Sequence, residues 1–451
     1  MDASNNQSIG ISDISVYLPQ PLIDLQQIVD KSVAQQPKLA RHMERALAVT
    51  GQKSLRFPEL WEDTATMAAQ AAYDLVRRNP ALDISAIRHL AVGTETTVDH
   101  SKPVSAYVQG MLQQAGVALP DSLSSFQVQH ACAGGTMALL SVASMLQTTG
   151  RPGESGVVMA SDIARYETES TAEITQGAGA VAMLVENSPK LIDLDLSTVG
   201  YFSRDVDDFF RPLGSKTAKV KGRYSMECYL ESLEGAFLDH CRRAGLTPQK
   251  ALNDSELVML HTPFRNMPES AMQHLLERHL GFTNGHTEGY LRDRGFYQGV
   301  DPLSRIGNTY AGSLYLGLAF LLYHRFKDLG NRIVGKRILL ASYGSGNTMI
   351  IQAGRVAPPA PEVLSTWDLD RTLAAHRTPS IEEYTLWTAG PYEAVEHARL
   401  NQGRKIPAGS FYLANIREDG YREYQHAAEL RNWLPEGEAS RDLHRPLPVR
   451  G

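Results

Sequence analysis

The chain has 451 residues, 43% hydrophobic and 21% charged, a balance typical of globular proteins with room for a large core and two or three domains. A net charge of −6 leaves no basic footprint for nucleic acid or an anionic membrane. Three cysteines, Cys132, Cys228 and Cys241, lack C-x-x-C spacing, so a reducing, cytoplasmic setting is expected and a zinc ribbon is not. In chain order, the polar start from Met1 to Gln7 lacks the apolar core of a signal peptide. Helical patterns then cover Thr64–Arg77 and Pro103–Gln114, around a strand-like apolar run at Ile87–Gly93. A further apolar run holding Phe126 and Val128 leads through Gln129-His130-Ala131-Cys132-Ala133-Gly134-Gly135-Thr136 into a helical stretch at Met137–Gln147. Buried strands are expected at Gly156–Ala160, Ala180–Val185, Leu257–Leu260 and Arg337–Ser342, with helices at Ser225–Arg243, Ser270–Leu280 and Thr309–Tyr323. The longest apolar run, Leu314 to Tyr323, is about half the ~20 residues of a membrane span, so no membrane partner is expected.

Strands alternating with helices predict an α/β fold with both sheet faces covered. A weak repeat divides it. In the first half a strand runs into Glu95, a helix opens at Cys132, and Gly177-Ala178-Gly179 leads into another strand. In the second half a strand runs into His261, a helix opens near Asn308, and Gly344-Ser345-Gly346 leads into Asn347–Ile351. The interval from Glu95 to Gly177 is 82 residues and that from His261 to Gly344 is 83. This spacing predicts two duplicated halves, 8–190 and 191–355, whose equivalent positions Glu95, Cys132, His261 and Asn308 converge on one cleft. The remainder, 356–451, opens with Pro358, Pro359 and Pro361 and is expected to be an appended segment, packed on the core over Thr366–Gln425 and fraying from Glu436 to Gly451.

A thiol at the first turn of a buried helix gains thiolate character from unpaired N–H groups and the helix dipole. Gly134 and Gly135 allow close approach where a side chain would block it. With Cys132 as nucleophile, Glu95 would take a proton from an acyl methyl group and His261 would polarise or protonate a ketone. Singly, each residue has a blander reading: a buried structural cysteine, a solvated loop carboxylate, a satisfied core histidine. Their order gives them weight. The two Gly-x-Gly turns precede strands, whereas a dinucleotide loop follows a strand and opens a helix, so no nicotinamide or flavin site is expected. The loop Ser342–Gly346 is instead expected to bring a backbone N–H, near Gly344, to the thioester oxygen beside the Cys132 N–H.

The strings Gly93-Thr94-Glu95, Ala131-Cys132, Ser161–Tyr166, Thr175–Ala182, Asp208–Pro212, Ser225–Tyr229, His261–Phe264, Gly307–Tyr315 and Ser342–Gly346 resemble the 3-hydroxy-3-methylglutaryl-CoA (HMG-CoA) synthase family of the thiolase-like superfamily, over residues 8 to 425. The resemblance implies a five-layered α-β-α-β-α fold of two duplicated halves and a homodimer. It implies condensation of acetyl-CoA with acetoacetyl-CoA and water in the mevalonate pathway, with no metal and no redox cofactor. Cys132 would carry the acetyl group, Glu95 would be the base and His261 the acid. Asn308 would hold the acetoacetyl group and Ser342 would sit by the reacting centre. Asp162, Tyr166 and Asp208 would line or brace the pocket, Thr175 and Ser225 would contact product, and Tyr310 and Gly344 would face substrate.

One departure stands out. Where the family carries lysines for the CoA phosphates, this chain reads Arg265-Asn266-Met267-Pro268-Glu269-Ser270. Either Arg265 or the basic loop with Lys216, Lys219, Lys221 and Arg223 would serve instead. Two alternatives stay open: a carrier-protein-dependent β-branching synthase of polyketide synthesis, or a thiolase-like binding protein without activity. The short Glu167–Ile174 segment speaks against the first, because branching enzymes tend to carry an insertion there. The intact Cys132, Glu95 and His261 set speaks against the second.

Overall fold

The computed structural model describes residues 8–390 and 405–428. Its main sheet has nine strands, and the order repeats a pattern. In the first half, Ile9–Tyr17 pairs antiparallel with Gly177–Asn187, which pairs antiparallel with Ser155–Ala164. That strand runs parallel to Ile87–Gly93, which runs parallel to the edge strand Ser124–Val128. In the second half, Ile192–Ser203 pairs antiparallel with Thr348–Val356, which pairs antiparallel with Arg337–Gly344, itself parallel to Leu257–Leu260. The halves thus share strand order and direction, short of one edge strand. They join where Gly10 and Ile11 pair with Asp193 and Ile192.

Apolar patterning explains the layers. The strands Ile87–Gly93, Leu257–Leu260 and Gly177–Asn187 are almost wholly buried, as strands covered on both faces must be. Helix Thr64–Arg78, capped by a reciprocal Asp63–Thr66 box, buries an alanine-rich face on the first half-sheet. Helix Gly222–Ala244 covers the second half-sheet. Between the half-sheets lie two central helices, Gly134–Thr149 and Ser313–Leu329. Every residue from Ser313 to Tyr323 is buried, as expected of a helix that is apolar all round. The stretch Ala131–Thr149, which includes the first of these helices, is long and apolar enough for a membrane span, but it is packed as a core helix: it lies on the first half-sheet, and its Met137 and Leu140 meet Val199 and Ile350 of the second. The result is the expected five-layered, thiolase-like arrangement.

The described part of 356–451 forms helices Ala360–Ser365, Leu369–Ala374 and Ile381–Ala389 and the hairpin Phe411–Ile416/Arg422–His426. Tyr384 and Trp387 are buried against Phe57, and Phe411, Leu413 and Tyr424 pack in the cluster of helix Thr64–Arg78. The stretch Glu436–Gly451 lies outside the described residues.

Candidate active site

Cys132 sits in the tight turn between Ser124–Val128 and the first central helix, and the preceding residue Ala131 takes φ +41°. The helix begins at Gly134 with Ala133 as its N-cap, so Cys132 precedes the first turn instead of lying within it. Close packing holds the turn. A Cβ on Gly93 would lie 2.4 Å from Gly134 backbone, and one on Gly135 2.7 Å from Ala311 O. Glycine here is a condition for the two central helices and the end of Ile87–Gly93 to meet. The expected thiolate is also corrected. Burial, joined by Glu95, Asp162 and Asp208, pushes the thiol well above its ordinary value against the pull of Arg211.

Cys132 lies in a cavity of about 320 Å³ with Tyr166, Thr175, Ser225, His261, Asn308 and Tyr310. Tyr166, Phe209 and Tyr310 pack edge to face around it, with ring centroids 5.7–6.5 Å apart. His261, at the end of Leu257–Leu260, is 2% exposed; its Nδ1 lacks a hydrogen-bond partner and its carbonyl accepts from Tyr229 Oη at 2.9 Å. Burial pulls its ring down to about 3, so the imidazole is neutral near pH 7 and acts as a hydrogen-bonding group, not as an imidazolium. Asn308 is placed by a crossing of two chains. A Cβ on Gly307, at φ +88°, would stand 1.8 Å from Gln176 O, and one on Gly177 2.6 Å from Gly307 C. There the Asn308 N–H donates to Thr175 O at 3.1 Å, and its Oδ1 accepts from the Tyr310 N–H at 2.8 Å.

The remaining expected residues lie behind the cavity lining. Glu95 is buried beside Cys132, its Oε1 accepting from Arg211 Nη2 at 2.7 Å and its Oε2 without a partner. Burial raises its carboxyl to about 8, with Arg211 opposing and Asp162 adding. Asp162 is a brace. Its Oδ1 accepts from Thr94 Oγ1 at 2.7 Å, Thr96 Oγ1 at 2.6 Å and the Glu95 and Thr96 N–H groups at 3.0 Å each, while Oδ2 accepts from the Ala311 N–H at 3.0 Å. Asp208 braces the opposite loop through Tyr343 Oη at 2.7 Å, Ser225 Oγ at 3.1 Å and the Gly346 N–H at 3.0 Å. Gly344 meets the cysteine turn, where a Cβ would lie 2.6 Å from His130 O, and Ser345 reaches the cavity. Ser342 is set back: its Oγ accepts from Thr136 Oγ1 at 2.8 Å, under the central helix.

Arg265, one of the two candidates for the CoA phosphates, lies outside the lining of this cavity. It pairs with Glu269, donates to Asp301 Oδ1 at 2.9 Å, and lies over the Tyr297 ring. Its charge is thereby neutralised in place. Of the alternative basic loop, Lys219 pairs with Glu167 and Lys221 with Asp207, both exposed pairs flanking Val220 at the cavity. Arg211 was missed by sequence reasoning, although it stands in the Asp208–Pro212 string. Among the described residues no cluster of His, Cys, Asp and Glu could hold a metal ion.

Fold and site together define a thiolase-like, acyl-transferring enzyme. Residues 5–190 match the N-terminal model of hydroxymethylglutaryl-coenzyme A synthase, and residues 299–427 the C-terminal one. The hydroxymethylglutaryl-CoA synthase of Haloferax volcanii is 30% identical over 416 residues, covering 84% of this chain and 91% of the relative. The structure of MvaS in complex with 3-hydroxy-3-methylglutaryl coenzyme A superposes with a TM-score of 0.80 at 34% identity, over 93% of this chain and 99% of the other. The curacin-pathway HMG synthase in complex with acetyl donor-ACP has a TM-score of 0.78 at 24% identity, over 93% and 100% of the two chains, a likeness of fold alone. The chain belongs to the hydroxymethylglutaryl-CoA synthase family.

Proposed function

We propose that this enzyme condenses acetyl-CoA with acetoacetyl-CoA and water to give HMG-CoA and CoA, as a cytoplasmic homodimer in the mevalonate route to isoprenoids. One observation carries the reading: Cys132, with Glu95 behind it, shares a cavity with His261 and Asn308 of the other half. Cys132 Sγ attacks the acetyl carbonyl, and CoA leaves as its thiol with the proton that Sγ loses. Glu95 takes a proton from the acetyl methyl, and the freed electron pair forms the new bond to the ketone carbon of acetoacetyl-CoA. The ketone oxygen gains the equivalent of the proton that Glu95 took, in a site where His261 and Asn308 can hydrogen-bond it, and Glu95 is again a carboxylate. Water then cleaves the Cys132 thioester, leaving a carboxylic acid and the free thiol. Every step moves protons and acyl groups only, so the proposal includes no metal and no redox cofactor.

The paired charges at the mouth suit this reading. Exposed pairs such as Lys219–Glu167 contribute little to stability, so their lysines are free to exchange partners with a phosphate. A second copy fits the edge strand Ser124–Val128, which has a sheet neighbour on one side only. The decisive assay mixes purified protein with acetyl-CoA, with and without acetoacetyl-CoA, and follows CoA thiol and HMG-CoA by mass spectrometry. Turnover beyond one CoA per site should require acetoacetyl-CoA. If acetyl carried on a carrier protein reacts much faster than acetyl-CoA at equal concentration, the β-branching reading replaces this one.

A further inference from the structure

Glu95 is fixed at both of its ends. Its backbone N–H donates to Asp162 Oδ1 at 3.0 Å, and its side-chain Oε1 accepts from Arg211 Nη2 at 2.7 Å. Oε2 is buried with nothing bonded to it. The titratable groups that face this carboxyl are Arg211 from the turn after Phe209–Phe210, Asp162 from Ser155–Ala164, Cys132 from its own turn, and the phenols of Tyr166 and Tyr310. Of these, Arg211 is the cation. It does not line the cavity that holds Cys132 and His261; it borders a second one, of about 260 Å³, that it shares with Thr96, Thr97 and Arg165. It thus reaches the carboxylate without taking a place in the lining of the cavity that holds the thiol.

A carboxyl can act as base only when ionised, and burial among other acids opposes that. A guanidinium at hydrogen-bond distance in a poorly solvated site is the group best suited to counter it, and Arg211 pulls the Glu95 carboxyl down against the lift of burial. Its planar fork also fixes orientation, which a lysine ammonium does not. We propose that Arg211 is a positioning residue for the condensation step: it immobilises Oε1, leaves Oε2 as the free basic atom, and supplies the charge against which Glu95 ionises. The role rests on Glu95 being the base of the reaction proposed above.

The test uses full-length Arg211→Gln and Arg211→Lys enzymes beside the wild type, with Cys132 acetylation and HMG-CoA formation each followed against pH. Arg211→Gln should acetylate Cys132 but lose ~10–10²-fold in condensation at pH 7, the scale of a misplaced catalytic group. The acidic limb of its kcat profile should move to higher pH, because the carboxyl would hold its proton longer. Arg211→Lys should restore the limb but only part of the rate. A folded Arg211→Gln enzyme whose limb stays at the wild-type pH, or whose loss is confined to acetylation, overturns the proposal. If Arg211→Gln does not fold, Arg211→Lys decides alone: wild-type kcat across the pH range overturns it, and a reduced kcat with an unmoved limb supports it. Wild-type enzyme that makes no HMG-CoA overturns the proposed reaction and this role together, whereas an active wild type with an unmoved Arg211→Gln limb overturns the role only.

Discussion

In the first half, the strand Ile87–Gly93 ends at a buried carboxylate that has a thiol, a second carboxylate and an arginine around it. In the second half, the equivalent strand Leu257–Leu260 ends at a buried histidine on which burial alone acts. Matching strand order has been given opposite electrostatics. The first half lifts an acid to about 8, within reach of proton exchange near neutral pH, and supplies a cation to moderate it. The second drops a base to about 3 and keeps it uncharged. The shared geometry is thus divided by local electrostatics into a side that holds a raised carboxyl and a side that holds a lowered imidazole.

The sharpest way to break this division is Glu95→Ala. It should still acetylate Cys132 from labelled acetyl-CoA, with the label absent from Cys228 and Cys241, yet lose condensation by at least ~10²-fold. Near-normal turnover would remove Glu95 from the base role. His261→Ala comes next, with a loss in condensation of about the same lower bound, ~10²-fold, but read chiefly in the use of acetoacetyl-CoA. Its pH signature differs too. The folded value of about 3 lies below the ordinary 6.5, so the unfolded chain takes up the proton first and His261 costs stability as pH falls through that window. His261→Gln should flatten this part of a melting-temperature profile, and no kcat limb near 6.5 should belong to His261.

Glu95 titrates with the opposite sign. Its folded value of about 8 lies above the ordinary 4.5, so its stability contribution is complete below 4.5 and is lost as pH rises toward 8. Glu95→Gln should therefore melt higher than wild type at pH 8, by on the order of 1–3 kcal/mol, and by less at pH 5. A smaller effect is expected from Arg265→Ala. Because Arg265 is held by Glu269 and Asp301, its loss should change the KM for acetyl-CoA less than ~3-fold, the equivalent of well under 1 kcal/mol. A large KM change would place the phosphate grip back on Arg265.

Legibility followed burial. Ile87–Gly93 and Leu257–Leu260 are continuous apolar runs because both faces are covered, and they were readable residue for residue. Ile9–Tyr17 was not, because it buries Asp13, a carboxylate that accepts from Arg78, Asn79 and Trp367 Nε1 far along the chain. Ile192–Ser203 escaped for another reason: its outer positions Asp195 and Ser197 are polar and break the apolar run. In the site, Cys132 and Asn308 announced themselves through turns with neighbouring glycines, and His261 through its place at the end of an apolar run, at equivalent places in the repeat. Arg211 did not, since a single arginine in a loop has no local signature and its partner lies 116 residues away. The pairing of Arg265 with Asp301 was equally hidden, because the two are distant in sequence.

Asp162 has one more consequence, for motion. One buried carboxylate receives the amide protons of Glu95 and Thr96 from one loop and of Ala311 from the other half. Loops ordinarily open on their own, but these two are tied to a single buried carboxyl that neither can leave without stranding polar atoms away from water. Their amide protons should exchange with solvent slowly and together, at the rate of global opening, so Glu95 and the loop before Ala311 behave as one rigid piece to which anything entering the cavity must adapt.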